Sequence, residues 1–295
     1  MARHAALLLT VFLAILTAGK ALAFDPLKVS FERPDGRVLS GYLSLPDIVP
    51  PHPAIVFLHG CSGLGVAGSL RPHYSSWMRL LGSRGFAVLA IDSLAPRGFP
   101  TGCLRGPHRR RLYAERPGDA YAGLLYLQAR GDIDTARVGL MGWSQGGGIV
   151  LLTVNTESIG RPVPAPAHDF RAAVALYPSA CNDRFQSKPF TKVEVGTWKT
   201  IAPLLVLHGA ADNWTRPGPC KRFVERAARR GEPMEIILYD KAVHAFDAPN
   251  VKMHRRHGPR LADGSLPLIG TDRAARQAAM KRVPAFFEEH LGRPD

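Results

Sequence analysis

Residues 138–154, VGLMGWSQGGGIVLLTV, constrain this chain more than any other stretch. A short apolar run leads into Gly142-Trp143-Ser144-Gln145-Gly146, and a second apolar run follows. The five central residues match G-x-S-x-G, the pattern of a tight strand-to-helix turn that lifts a serine hydroxyl out at the top of a sheet. A side chain at Gly142 or Gly146 would crowd such a turn, and glycine also tolerates its unusual φ/ψ. The expected fold is therefore one in which a buried strand ends at Trp143 and a helix starts just past Ser144.

The rest of the chain repeats that strand-then-helix order. Residues 54–58 (AIVFL), 86–91 (FAVLAI), 138–141, 172–177 (AAVALY), 204–207 (LLVL) and 234–239 (MEIILY) are compact apolar runs of the kind that parallel strands covered on both faces require. Helical spacing is expected over 72–84, where Trp77, Leu80 and Leu81 fall on one face and Gly85 ends the run. It recurs over 112–130, with Pro117-Gly118 marking the start of the helix, and over 149–154, 217–230 and 274–291. Residues 27–45 alternate around Pro34-Asp35-Gly36, a hairpin signal. Residues 46–53, 160–169, 182–202 and 251–270 read as loops. The expected fold is α/β, a mostly parallel doubly wound sheet with an antiparallel N-terminal hairpin. No linker composition divides residues 24–295, so they are expected to form a single domain.

The first 23 residues stand apart. Arg3 and His4 precede a small and apolar run over 5–18, and Ala21-Leu22-Ala23 is an A-x-A cleavage site. This is the pattern of a secretory signal peptide over 1–23, with the mature chain starting at Phe24. The apolar run is shorter than the roughly 20 residues of a membrane span, so no integral membrane association is expected after cleavage. A periplasmic or secreted location follows. Losing Arg3 and Lys20 takes the formal net charge from +14 to +12, a balance that attracts anionic surfaces or substrates. The densest basic run, residues 105–111 (RGPHRRR), has no interleaved aromatics and no nucleic-acid motif. It reads as a solvated loop or helix start, and no nucleic acid partner is expected. In an oxidising compartment Cys61, Cys103, Cys181 and Cys220 imply two disulfides, or one disulfide and two thiols. Their wide spacing excludes a zinc ribbon, and spacing alone leaves three pairings open.

One motif misleads. Gly63-Leu64-Gly65-Val66-Ala67-Gly68 matches the dinucleotide fingerprint G-x-G-x-x-G, follows a strand, and has Asp92 at the end of the next. Its glycines begin four residues past His59, and Arg71-Pro72 interrupts the helix that should open there. An exported chain also seldom depends on a dinucleotide, so no cofactor is expected.

A serine hydroxyl needs a base to accept its proton and a third group to orient that base. In an open α/β sheet these partners belong past the carboxyl ends of later strands, the acid before the histidine. Asp212 follows strand 204–207 in HGAADNWTRP, and His244 follows strand 234–239 in YDKAVHAFDAP. Asp212 could instead cap the helix after Pro217. His208 is a rival base in the wrong order, His254 and His257 lie in a basic loop, and Asp240 and Asp247 are rival acids nearer His244. An oxyanion would need two backbone N–H donors. Gln145, just after the serine, and Cys61, in the loop after strand 54–58, occupy the expected places, while His59 is expected to shape that loop. Trp143 and Trp214 flank the site and could line an acyl pocket. Arg97 could meet an anionic substrate, or be an exposed structural arginine.

Taken in order, HGCSG, PRG, GWSQGG, HGAADNWT and YDKAVHAFD resemble the dienelactone hydrolase family of α/β-hydrolases, over about residues 30–290. The resemblance implies an α/β-hydrolase fold and an acyl-transfer hydrolase with no metal or organic cofactor. It implies a triad of Ser144, Asp212 and His244. The family's namesake enzymes carry cysteine where this chain has Ser144, so a general carboxylic ester is expected rather than a cyclic dienelactone. A peptidase on short peptides, or a silent hydrolase fold that binds a ligand or cell-wall polymer, are the alternatives. Loop adjacency in such a sheet favours the pairs Cys61–Cys103 and Cys181–Cys220. A bridge at Cys61 would hold the oxyanion loop in place.

Overall fold

The computed structural model describes residues 25–66, 69–104 and 106–293. The signal peptide expected over 1–23 lies outside them, as does Arg105. The elements run β1 (Leu27–Glu32), β2 (Val38–Ser44), β3 (His52–Leu58), β4 (Gly65–Val66), β5 (Ser69–Leu70), α1 (Pro72–Gly82), β6 (Ala87–Asp92), α2 (Gly106–Gln128), β7 (Ile133–Trp143) and α3 (Gln145–Thr153). Then come β8 (Ala172–Leu176), β9 (Leu204–Gly209), α4 (Pro217–Arg229), β10 (Met234–Tyr239), β11 (His254–Arg255), β12 (Leu268–Ile269) and α5 (Arg273–Leu291).

Eight strands form one sheet in the order β1-β2-β6-β3-β7-β8-β9-β10. β1 and β2 form the antiparallel hairpin, β2 meets β6 antiparallel, and every pairing from β6 to β10 is parallel. The alternation of strand side chains decides which core each residue joins. On β3, Ala54, Val56 and Leu58 face a core that includes Leu124 of α2, Leu152 of α3 and Phe223 of α4. Ile55 and Phe57 face the other, with Trp77 of α1 and Val283 and Phe287 of α5. All seven residues of β3, and all of β8 and β9, are buried. Their lack of polar alternation has this physical cause: both faces are covered.

Three segments depart from the sequence reading. α2 starts at Gly106, not at Pro117, and carries that proline inside it. Proline forfeits one backbone hydrogen bond there, but distant side chains pin the turn around it. Arg33 donates to the Glu115 carbonyl at 2.9 Å and pairs with buried Asp119 at 2.6 Å. Arg97 reaches Glu115 and Asp119 as well. Second, residues 251–270 are not a plain loop: β11 and β12 pair antiparallel, and Ile269 also bridges to His244. Third, Gly65 lies in the two-residue strand β4, which pairs with β5, and the next helix begins only at Pro72. The glycine motif therefore does not open a helix N-terminus of the kind that holds a pyrophosphate.

Candidate active site

Ser144 lies between the end of β7 and the start of α3, at φ 51° and ψ −112°. A side-chained residue avoids this region unless its surroundings over-determine it. Here they do: the Ser144 N–H donates to the Leu176 carbonyl at 2.9 Å, and the Ser144 carbonyl accepts from the Ser179 N–H at 2.9 Å. Close approach explains the flanking glycines. A Cβ on Gly146 would lie 2.0 Å from the Leu58 carbonyl oxygen, and one on Gly142 would lie 2.5 Å from the Gly146 carbonyl oxygen.

The strand ends bring three of the expected side chains together. His244 Nε2 lies 3.0 Å from Ser144 Oγ, and His244 Nδ1 lies 2.7 Å from Asp212 Oδ2. An ionised carboxylate only accepts hydrogen bonds, so Nδ1 carries the proton and Nε2 presents a lone pair to the serine hydroxyl. Asp212 does not cap α4. Its Oδ1 accepts from the Trp214 and Thr215 N–H groups at 2.8 and 3.0 Å, and its Oδ2 also accepts from the Thr215 hydroxyl at 2.8 Å. Burial alone would raise its pKa, but the neighbouring His244 and these donors outweigh it and hold the carboxyl well below its ordinary range. The imidazole is flanked by the rings of Trp214 and Tyr177, each with its centroid 4.6 Å away.

The rival groups have other partners. His59 is fully buried; Nδ1 donates to the Gly60 carbonyl at 2.7 Å, and Nε2 accepts from the Ser93 N–H at 3.1 Å. It shapes the loop after β3, and burial lowers its pKa well below the usual histidine range. His208 is buried against its own turn, with Nδ1 3.2 Å from the Gly209 carbonyl oxygen. His254, His257 and Asp240 are exposed. Asp247 is buried out of His244's reach for hydrogen bonding: it accepts from His73, Trp77, Trp143 and Tyr177 at 2.7–2.8 Å.

The loop after β3 is fixed from several sides. Cys61 is joined to Cys103, and Cys181 to Cys220. The Cys61 carbonyl accepts from the Gly102 N–H at 2.7 Å, while the Gly60 N–H donates to the Tyr74 hydroxyl at 2.9 Å. Gln145 donates from Nε2 to the Gly102 carbonyl and accepts at Oε1 from Arg116, both at 2.9 Å. Arg116 also donates to the His59 carbonyl at 2.7 Å. It is fully buried, which pulls its pKa down to about 10. Gln145 opens α3, so its own N–H has no acceptor within the helix.

Two cavities meet at Ser144. The larger, about 660 Å³, runs from Cys61 and Gln145 past Tyr113 and Trp214 to Arg216 and Arg260. The smaller, about 70 Å³, lies between Gly60, Tyr74, Trp143 and His244. Trp214 lines both. Trp143 touches only the smaller and is 1 % exposed, with its indole N–H spent on Asp247 at 2.8 Å. It is chiefly a core residue. Arg97 is not available to a substrate: its guanidinium is completely buried, with two bonds of 2.9 Å to Asp119 and one of 2.8 Å to Glu115. Among the described residues no group of three or more His, Cys, Asp or Glu side chains could hold a metal ion, and no helix is long and apolar enough to cross a membrane.

Sequence reasoning passed over Arg116, Tyr74 and Thr215. For Thr215 a signal exists, since a hydroxyl residue three positions after an acid is placed to bond back to it. For Arg116 and Tyr74 the partners are 29 and 14 residues away, and nothing local points to them.

The sequence matches the model of the dienelactone hydrolase family over residues 39–291. It is 26% identical over 269 residues to dipeptidyl peptidase 8 of Homo sapiens, covering 81% of this chain but only 28% of that protein. The chain thus spans little more than a quarter of that relative's length. Identity is 25% over 263 residues to a Methylorubrum extorquens protein provisionally named a carboxymethylenebutenolidase, covering 81% of this chain and 84% of that one. The fold is similar to that of an esterase from Thermogutta terrifontis, with a TM-score of 0.61 at 18% identity, covering 91% of this chain and 93% of that one.

Proposed function

This chain belongs to the dienelactone hydrolase family, and on that premise we propose that it is an exported serine hydrolase of carboxylic esters. The observation that carries the reading is the hydrogen-bonded line from Ser144 through His244 to Asp212, at 3.0 and 2.7 Å. Ser144 Oγ attacks the ester carbonyl as His244 Nε2 takes its proton, and Asp212 holds the imidazole in the required tautomer and stabilises its charge. The backbone N–H groups of Cys61 and Gln145 receive the oxyanion. Collapse expels the alcohol oxygen, which takes the proton from Nε2 and leaves an acyl-serine. Water, deprotonated by the same imidazole, then releases the acid. Export rests on the pattern of residues 1–23, and two disulfides suit an oxidising compartment.

The small cavity is the acyl side of this site. At about 70 Å³ it has about a tenth of the volume of the larger cleft, about 660 Å³. Acetyl esters are therefore expected to be the best p-nitrophenyl substrates of the mature chain, with kcat/KM falling about tenfold or more by octanoyl. Folded protein inactive on every chain length would sink the ester reading. The similarity to a dipeptidyl peptidase favours one second reading, a peptidase; dipeptide p-nitroanilides cleaved faster than p-nitrophenyl acetate would establish it. Because Tyr74 supports the Gly60 N–H next to Cys61, Tyr74→Phe is expected to lower kcat about tenfold, the scale of one hydrogen bond, with KM nearly unchanged. Steady-state kinetics on p-nitrophenyl acetate check this.

A further inference from the structure

A second cavity of about 580 Å³ adjoins the large cleft over Ser144, and the two share a wall made by Gly106, Arg109 and Tyr113. That wall is braced: the Arg109 guanidinium lies 5.4 Å from the centre of the Tyr113 ring, and the Tyr113 hydroxyl bonds to Ser179. Arg110, Arg184 and Lys188 line the second cavity beside the rings of Phe185 and Phe190. Lys188 pairs with Glu194 at the surface. Arg109, Arg110 and Arg184 form no ion pair among the described residues, and no Asp or Glu lines either cavity. Arginines gathered in a concave wall without acids repel one another and focus a positive field into the cleft. A ligand that brings negative charge offsets that cost.

The arrangement narrows the ligand. A cleft of about 660 Å³ already suits a small molecule, since such sites run to about 300–1,000 Å³. A second cavity with its own cations serves a ligand that continues past the first. On the reading above, the small cavity on the other side of Ser144 takes the acyl group, so the extended part is the alcohol half of the ester. A nucleic acid would satisfy the charges but carries no carboxylic ester for Ser144. An acidic oligosaccharide carries carboxylates and O-acyl groups on one chain, and its sugar rings can lie on Phe185, which is 42% exposed.

Resting on the hydrolase reading above, we infer that the protein removes O-acetyl groups from an acidic oligosaccharide, whose carboxylates run along Arg109, Arg110 and Arg184 in the second cavity. Ser144 Oγ bonds to the acetyl carbon, the sugar oxygen leaves with the proton held by His244, and water then releases acetate.

The test compares acetylated polygalacturonate, neutral acetylated xylan and p-nitrophenyl acetate as substrates of mature wild type and of Arg110→Glu/Arg184→Glu. Both positions are exposed and outside the catalytic machinery. Arg110→Gln/Arg184→Gln guards against damage from charge reversal. Wild type is expected to prefer acetylated polygalacturonate over acetylated xylan by about tenfold or more in kcat/KM at low salt, the preference shrinking as salt rises. The Glu variant is expected to lose about tenfold on the polyuronate, the Gln variant less, and both to keep p-nitrophenyl acetate activity within about twofold. Activity on p-nitrophenyl acetate without that preference, or with a preference the variants leave intact, overturns this inference alone. Inactivity on all three overturns the hydrolase reading and the inference with it.

Discussion

Ser144→Ala is expected to cut p-nitrophenyl acetate hydrolysis by about 10⁴-fold or more while leaving the circular dichroism spectrum and thermal midpoint close to wild type. In a serine hydrolase the nucleophile and its base act as a unit, so removing either costs nearly all the covalent pathway, about 10⁶-fold in the best-studied case. What survives is the contribution of binding and of the oxyanion donors, about 10³–10⁴ over water. The fold should tolerate the change because the lost atom is one hydroxyl, and the backbone bonds to Leu176 and Ser179 that hold the turn remain. His244→Ala should match Ser144→Ala, and Asp212→Asn should fall short of it, since an amide still contacts the imidazole but favours the wrong tautomer. A fluorophosphonate probe should label wild type and not the Ser144 variant. Retention of a tenth of the wild-type rate in Ser144→Ala would reject the proposed nucleophile.

The strands were the most legible part of the chain, and for a simple reason. A parallel strand buried on both faces admits almost no polar residue, so AIVFL, AAVAL and LLVL announce themselves. Ser144, Asp212 and His244 were legible because topology restricts where partners can lie: each stands just past the carboxyl end of β7, β9 or β10. Where the reading failed, the deciding contacts were distant in sequence. Pro117 reads locally as a helix start, but Arg33, 82 residues away from Glu115, fastens the turn that precedes it. Arg97 reads as a surface cation because nothing in PRG shows Asp119, 22 residues on, closing over it. Arg116 stands five residues past the basic run and gives no sign that it will be buried beneath the Gln145 side chain. Hydrophobic patterning reports which face is covered. It does not report which charge finds a partner.

Asp247 is the position where a substitution is expected to cost the most stability. Its carboxylate is fully buried, and four donors converge on it: His73, Trp77 and Trp143 on Oδ2, and Tyr177 on Oδ1. Those donors come from α1, the end of β7 and the residue after β8, so one side chain ties three elements to the His244 loop. Asp247→Ala leaves Trp77, Trp143 and Tyr177 unsatisfied in the interior and takes the partner from half-buried His73. Breaking a buried charged network in this way costs about 3–5 kcal/mol, a large share of the roughly 5–15 kcal/mol that holds a typical domain together. Asp247→Asn keeps the volume and one acceptor oxygen and should cost less. Wild type and Asp247→Asn also separate by pH. Burial would raise this carboxyl, but His73, Tyr177 and Trp143 outweigh burial and bring it from 3.8 down to about 2. A depressed folded-state pKa stabilises the fold fully above the unfolded value and ceases to do so as pH falls through the folded one. Wild type should therefore lose part of its stability between about pH 4 and pH 2, and Asp247→Asn, with no proton to gain there, should lose less over the same interval. Urea unfolding at pH 7, 4 and 2.5 measures both effects. Equal acid sensitivity in the two proteins would mean that other carboxylates, and not Asp247, set the acid limit of the fold.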